Sequence, residues 1–236
     1  MAGGWEFLRQ NERVSSDHAS FDRRLVLRES LAVAIPVGTY GAAFGAASIA
    51  SGFSVLQTCL LSLLLFSGAS QFAVVGVIAA GGTAINAIAT STLLGTRNGL
   101  YGLRLAPLLK LRGWKRVVAA QITIDESIGV ALAQKDEAQM RKGFWYTGFG
   151  VFVFWNLFTL AGALGAQAIG NPSAWGLDAA VPAAFLGLLW PRLSDRKSWV
   201  LSGFAILLAL SLTPFVPAGI PIISCTLLAI IIGWRK

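Results

Sequence analysis

Apolar residues run without a charged neighbour from Ser30 to Thr96, from Gly143 to Leu177 and from Ser198 to Trp234. A helix at a water interface needs a charged or polar face opposite its apolar stripe, and these runs have none. About 20 helical residues cross a hydrocarbon core. The pattern predicts helices over about Ser30–Ala50, Val55–Ala80, Ala84–Leu109, Phe144–Ala168, a segment from Leu177 to Trp190, Trp199–Leu212 and Ile220–Trp234. Val117–Gln134 is only moderately apolar, holding Gln121, Thr123, Asp125, Glu126 and Ser127. Residues 1–29 mix both charge signs with Trp5, Phe7, Leu8, Phe21 and Leu25, and read as a cytoplasmic, partly interfacial segment ahead of a membrane domain over 30–236. That long basic lead argues against a cleavable signal peptide.

Polar interruptions matter more than the apolar background. Phe66-Ser67-Gly68-Ala69-Ser70-Gln71-Phe72 falls halfway along the second segment. Thr96-Arg97-Asn98-Gly99-Leu100-Tyr101-Gly102 follows immediately on apolar helix. Polar groups at membrane depth are costly and face a cavity or another helix. Gly38, Gly41 and Gly45 line one side of the first span, where they admit a close helix neighbour; Pro36 should kink that span.

Composition agrees with this class: 55% hydrophobic and only 13% charged residues, with mean hydropathy +0.67. The net charge of +8 sits between the apolar segments, a positive-inside pattern and not a nucleic-acid-binding face. It places both termini and the loops at Lys135–Lys142 and Arg192–Lys197 in the cytoplasm. The cluster Lys110, Arg112, Lys115 and Arg116 complicates the count. Eight crossings put it outside, against the rule. Keeping it inside requires Ala84–Leu109 to dip in and return, or another segment to break. The expectation is an all-α polytopic integral membrane protein of six to eight transmembrane helices, with a broken or re-entrant helix admitted, in the inner (plasma) membrane.

The catalytic inventory is thin. His18, the only histidine, precedes the first span, so a histidine-based metal site or proton relay within the membrane is ruled out. Cys59 and Cys225 lie in apolar segments and read as small hydrophobes. No nucleophile–base pair, phosphate-binding loop or dinucleotide fingerprint occurs, and no cofactor or metal is implied. An enzyme is therefore not expected. What remains (Ser67, Ser70, Gln71, Arg97, Asn98, Tyr101, Asp125, Glu126, Asn156 and Asp178) suits binding a zwitterion or ion and carrying a proton, as in a secondary transporter.

Ile35-Pro36 with Phe44-Gly45, the stretch Ser62–Phe72, Arg97-Asn98-Gly99-Leu100-Tyr101-Gly102, Asp125-Glu126, and Asp178 through Pro182-Ala183-Ala184-Phe185 occur in order. As an ordered set they resemble the AzlC family, the large subunit of branched-chain amino acid exporters. The resemblance covers most of the chain after Ser30. It implies export of branched-chain amino acids together with a small membrane partner of the AzlD type. That family ordinarily carries histidine after the arginine; this chain has Asn98, which cannot titrate.

The residues suggest roles, each with a plainer alternative. Ser67, Gly68, Ser70 and Gln71 suit substrate hydrogen bonding, especially if the helix breaks at Gly68; otherwise they serve interhelical packing. Arg97 suits the α-carboxylate, since guanidinium grips it with two parallel bonds; otherwise it snorkels or pairs with Asp125. Asn98 belongs to the same motif, and Tyr101, one turn beyond Arg97, either covers the site or joins the aromatic belt. Asp125, Glu126 and Asp178 are the proton-coupling candidates, with helix capping or ion pairing as the alternative. Gln121 shares the face of Asp125 one turn earlier, making a polar stripe that favours a functional role for Asp125. The reading is a secondary, proton-coupled exporter of branched-chain or similar small apolar amino acids; the alternative is a passive pore or a non-catalytic membrane scaffold.

Overall fold

In a computed structural model, the structure describes residues 3–170, 174, 179–190 and 193–234. All its regular elements are helices: α1 (Gly3–Ala50), α2 (Val55–Leu64), α3 (Gly68–Ala79), α4 (Ala84–Leu109), α5 (Trp114–Gln121), α6 (Asp125–Ala133), α7 (Glu137–Ile169), α8 (Ala180–Leu189), α9 (Arg196–Leu212) and α10 (Ile220–Trp234). Large apolar side chains stay exposed along α2 (Leu56, Leu60, Leu63, Leu64), α4 (Ile85, Ile88, Leu100, Leu103) and α9 (Phe204, Ile206, Leu207, Leu210). α9 buries no residue. Apolar surface on this scale is covered in a membrane by lipid. Two helical stretches among the described residues are long and apolar enough to cross by themselves, Arg23–Ala50 and Glu137–Ile169.

Two compact units divide the chain: residues 1–37 with 100–154, and residues 38–99 with 155–236. In the first, α1 turns Val26, Ser30 and Ala34 inward, and Ala34 packs beside Gly150 of α7. Polar bonds fasten the same helix, from Arg23 Nε to the Tyr146 hydroxyl at 3.1 Å and from Gln134 Nε2 to Glu29 Oε2 at 2.9 Å. Leu105, Leu109, Ala119, Ile122, Ile128, Ala131, Met140 and Phe144 form the core.

This unit resolves the basic cluster. Lys110 Nζ lies 3.9 Å from Glu137, and Arg141 donates to the Leu108 carbonyl at 3.3 Å. The end of α4 therefore adjoins the start of α7. Between them, α5 and α6 make a hairpin. Ile122, in the bend, packs against Gly148, while Gln134 and Val130, at the far end of α6, lie against Gly143. Five helical residues are about 7.5 Å of depth, so α6 returns toward the face from which α5 set out.

The second unit holds another reversal. α2 opens on a capping box: Gln57 N–H donates to Ser54 Oγ at 3.2 Å, and Ser54 N–H to Gln57 Oε1 at 2.8 Å. The helix stops at Leu64 and α3 starts at Gly68. Gln71 Nε2 then donates back to the carbonyls of Ser62 at 3.2 Å and Leu61 at 3.5 Å. In an unbroken helix residues 62 and 71 would stand about 13–14 Å apart along the axis. The chain has folded back, and the single crossing expected over Val55–Ala80 is corrected to a hairpin. Gly82, just past α3, lies against Ala218 in the turn before α10. α4 by contrast is one 26-residue helix, about 39 Å long, and does not dip and return as the sequence had allowed.

Candidate functional site

Close backbone packing sets the walls around the α2–α3 hairpin. A Cβ on Gly41 would collide with the Trp155 carbonyl, one on Gly45 with the Thr159 carbonyl, and one on Gly162 with the Ala42 carbonyl. α1 and α7 thus touch backbone to backbone, which explains two of the three glycines read as a packing line. This contact seats Trp155 and Thr159 beside the hairpin. Ser62 Oγ donates to Thr159 Oγ1 at 3.4 Å, and Ser48 and Thr58 share a 2.7 Å bond.

The tip is polar and buried. Ser67 precedes α3 but makes no side-chain cap; its hydroxyl donates to Ser70 Oγ at 3.1 Å, and Ser70 donates to the Ser91 carbonyl of α4 at 3.1 Å. A Cβ on Gly95, one turn beyond Ser91, would stand 3.4 Å from Ser70 Oγ. Gln71 is fully buried. Because its amide N–H₂ faces two carbonyls, the other amide atom is the oxygen. That Oε1 has no hydrogen-bond partner among the described residues.

Over the tip lies Trp155. Its six-membered ring reaches to 3.2 Å from where a Cβ on Gly68 would sit. It stacks on Phe44 with centroids 6.4 Å apart and meets Phe72 edge-on at 6.4 Å. Phe72 also contacts Phe185 of α8 at 5.8 Å. The Trp155 Nε1 is buried and likewise has no partner among the described residues. Sequence reasoning missed this residue. The available signal was position: most other tryptophans sit at segment ends, whereas Trp155 lies deep inside an uncharged run next to Asn156.

Other candidate residues fall as follows. Asn98 comes seven residues after Ser91, two turns on, and shares the α4 face that meets Ser70. Its Oδ1 is buried and unpartnered among the described residues. Arg97 is half-buried in the same unit, about 100° round the helix from Asn98. Tyr101 packs against the Leu105–Phe144 cluster of the other unit. Asp125 and Glu126 form the first turn of α6, where acidic groups complement the helix dipole; both are half-buried. Gln121 ends α5 and Asp125 opens α6, so the two do not lie on one continuous helix face as expected: the bend at 122–124 comes between them. Ser127 instead closes that bend, donating to the Ile122 carbonyl at 2.8 Å and accepting from the Ile124 N–H at 3.0 Å. Asp178 lies outside the described residues. A groove of about 560 Å³ on α1, lined by Leu27, Leu31, Ile35, Pro36 and two arginines, carries none of these polar motifs. Among the described residues no His/Cys/Asp/Glu group could hold a metal ion.

The chain is similar to known membrane proteins over much of its length. An uncharacterized membrane protein of Archaeoglobus fulgidus is 31% identical over 209 residues, covering 87% of this chain and 91% of that one. Inner membrane protein YgaZ of Escherichia coli is 29% identical over 179 residues, covering 72% and 73%. An uncharacterized membrane protein of Haemophilus influenzae is 27% identical over 132 residues, covering 56% and 52%. No solved structure matches. The AzlC protein family profile matches residues 32–169, from the glycine-lined half of α1 through both hairpins to the end of α7. The chain is a membrane protein and belongs to the AzlC family.

Proposed function

We propose that this protein is a secondary, proton-coupled exporter of branched-chain or similar small apolar amino acids, not an enzyme, and works with a small membrane subunit of the AzlD type. The observation that carries the reading is the α2–α3 hairpin. A broken helix ends in free backbone dipoles at membrane depth, which is how many transporters hold a small polar substrate. Here the tip adds Gln71, with an amide oxygen left over, inside a wall of Phe44, Phe72 and Trp155 suited to an apolar side chain. Arg97 adds positive charge in the same unit. Asp125, at the first turn of α6, is the proposed proton carrier.

Six crossings and two re-entrant hairpins follow from the same reading. The crossings are α1, α4, α7, the segment containing α8, α9 and α10. Halves of 8 to 12 residues in the hairpins are about 12–18 Å long, half a membrane each. With α5–α6 entering and leaving by one face, the 110–116 cluster joins every other basic loop in the cytoplasm, and the positive-inside rule holds throughout. Single cysteines at Phe53 and at Lys115, in a background lacking Cys59 and Cys225, are expected to label from opposite sides, and cysteines at Lys115 and Lys135 from the same side. Labelling of Lys115 and Lys135 from opposite faces would overturn the α5–α6 hairpin as re-entrant.

Transport itself is tested by leucine efflux from preloaded proteoliposomes across an imposed pH gradient, with and without the small subunit. Gradient-driven efflux is expected of the wild type. Asp125→Asn should lose it while keeping some exchange of leucine for leucine, because only the proton-carrying step is removed. Downhill leakage with no response to the gradient would favour a passive pore. Normal pH-driven efflux in Asp125→Asn would move coupling to another carboxylate, Glu126 first.

A further inference from the structure

The buried atoms left unpaired around the α2–α3 tip are chemically complementary. Trp155 Nε1 is a donor and can be nothing else; Gln71 Oε1 is an acceptor, its orientation fixed by the Leu61 and Ser62 carbonyls. Each side chain is more than nine-tenths buried: Trp155 is 5% exposed and Gln71 not at all. Native interiors pair such groups almost without exception, so an orphaned donor and an orphaned acceptor in the same compact unit need an explanation. Packing already accounts for the indole ring, which stacks on Phe44 and meets Phe72 edge-on. Phenylalanine would supply that much. Only the N–H goes unused.

We infer that Trp155 is a substrate-reading residue, its indole N–H binding the α-carboxylate of a neutral amino acid whose α-ammonium is received by Gln71 Oε1. This deepens the exporter reading and rests on it. A zwitterion needs one donor site and one acceptor site close together, and offers no net charge to neutral groups. The indole turns its benzo edge, not its N–H, to Gly68, the first residue of α3, so that packing leaves the N–H free for a ligand. A Cβ on Gly68 would crowd the ring at 3.2 Å, so the indole would have to give by a few tenths of an ångström. Both orphaned atoms are closed to solvent in this conformation, and the ligand reaches them when the hairpin moves.

The experiment compares Trp155→Phe with the wild type, each reconstituted with the small subunit, by equilibrium binding of leucine and of isoamylamine, which lacks the carboxylate. Leucine affinity should fall roughly ten- to a hundredfold, the worth of a hydrogen bond to a charged group. Isoamylamine affinity should change by less than about threefold, because it never used the bond. Equal losses for the two ligands, or an unchanged leucine affinity, would reduce Trp155 to packing. A panel of neutral amino acids on the wild type separates the two readings. If none binds, the exporter reading falls and this inference with it; if another one binds, the same comparison is made with it and its decarboxylated amine. Should Trp155→Phe not accumulate, 5-fluorotryptophan at position 155 of the otherwise intact protein gives the readout. Its fluorine resonance should shift with leucine and not with isoamylamine, and identical responses to both would overturn the assignment.

Discussion

Gly45→Val is expected to remove nearly all folded protein from the membrane. A Cβ at this position would run into the Thr159 carbonyl and stand 2.7 Å from the Ala163 N–H nitrogen. Both obstacles are backbone of a 33-residue helix and cannot rotate away. Relief requires α1 and α7 to separate, which also pulls Thr159 from Ser62 and Trp155 from Gly68. Overpacking of a core typically costs about 1–3 kcal/mol when side chains can yield, and more when only backbone can. Gly165→Ala on α7 is the control, since nothing lies within 4 Å of its added Cβ. Fluorescence-detected size-exclusion profiles and melting of the detergent-purified protein check this. A Gly45→Val protein that accumulates and melts like the wild type would mean that α1 and α7 do not touch here.

Gln71→Leu should lose both stability and transport, and more of each than its similar volume suggests. The amide N–H₂ closes the Ser62 carbonyl at the broken end of α2 and makes a longer bond to the Leu61 carbonyl, which also holds the Leu65 N–H at 2.9 Å. No water competes for such groups at membrane depth, and the Ser62 carbonyl left open costs about 1–3 kcal/mol. The loss falls on the bend, so the hairpin is the part expected to loosen. Limited proteolysis should then cut between Leu64 and Gly68 in the variant and leave the wild type intact there. Leucine efflux should drop below detection, since the acceptor proposed for the α-ammonium goes with the amide. Wild-type stability together with wild-type efflux would show that Gln71 neither braces the hairpin nor meets the substrate.

Asn98 illustrates how position and identity separate. The sequence marked it only as the neighbour of Arg97, and as an asparagine where histidine is usual. Two helical turns from Ser91 put it on the α4 face that meets Ser70, with its carbonyl oxygen buried and unpartnered among the described residues. Arg97, which looked the stronger candidate by charge, projects from a different side of the same helix.

Membrane character, the all-helical class and the polar motif at Ser67–Gln71 were legible in the sequence, because each depends on local composition. A run with no charge cannot offer a solvated face, whatever its neighbours do. The glycine line at Gly41 and Gly45 was legible for the same kind of reason: absent side chains permit a close approach before any partner is known. Which helix approaches was not, since Trp155 and Thr159 lie more than a hundred residues downstream. Whether Val55–Ala80 and Val117–Gln134 cross or fold back was equally hidden. Neither the uncharged first segment nor the moderately apolar second declares which it does, and the choice turns on bonds such as Gln71 to Ser62 and Lys110 to Glu137, which exist only once the chain has folded. Trp155 is the clearest case. Its sequence neighbours make it one more apolar residue in a span, and its significance comes from an N–H that the tertiary structure buries without giving it a partner.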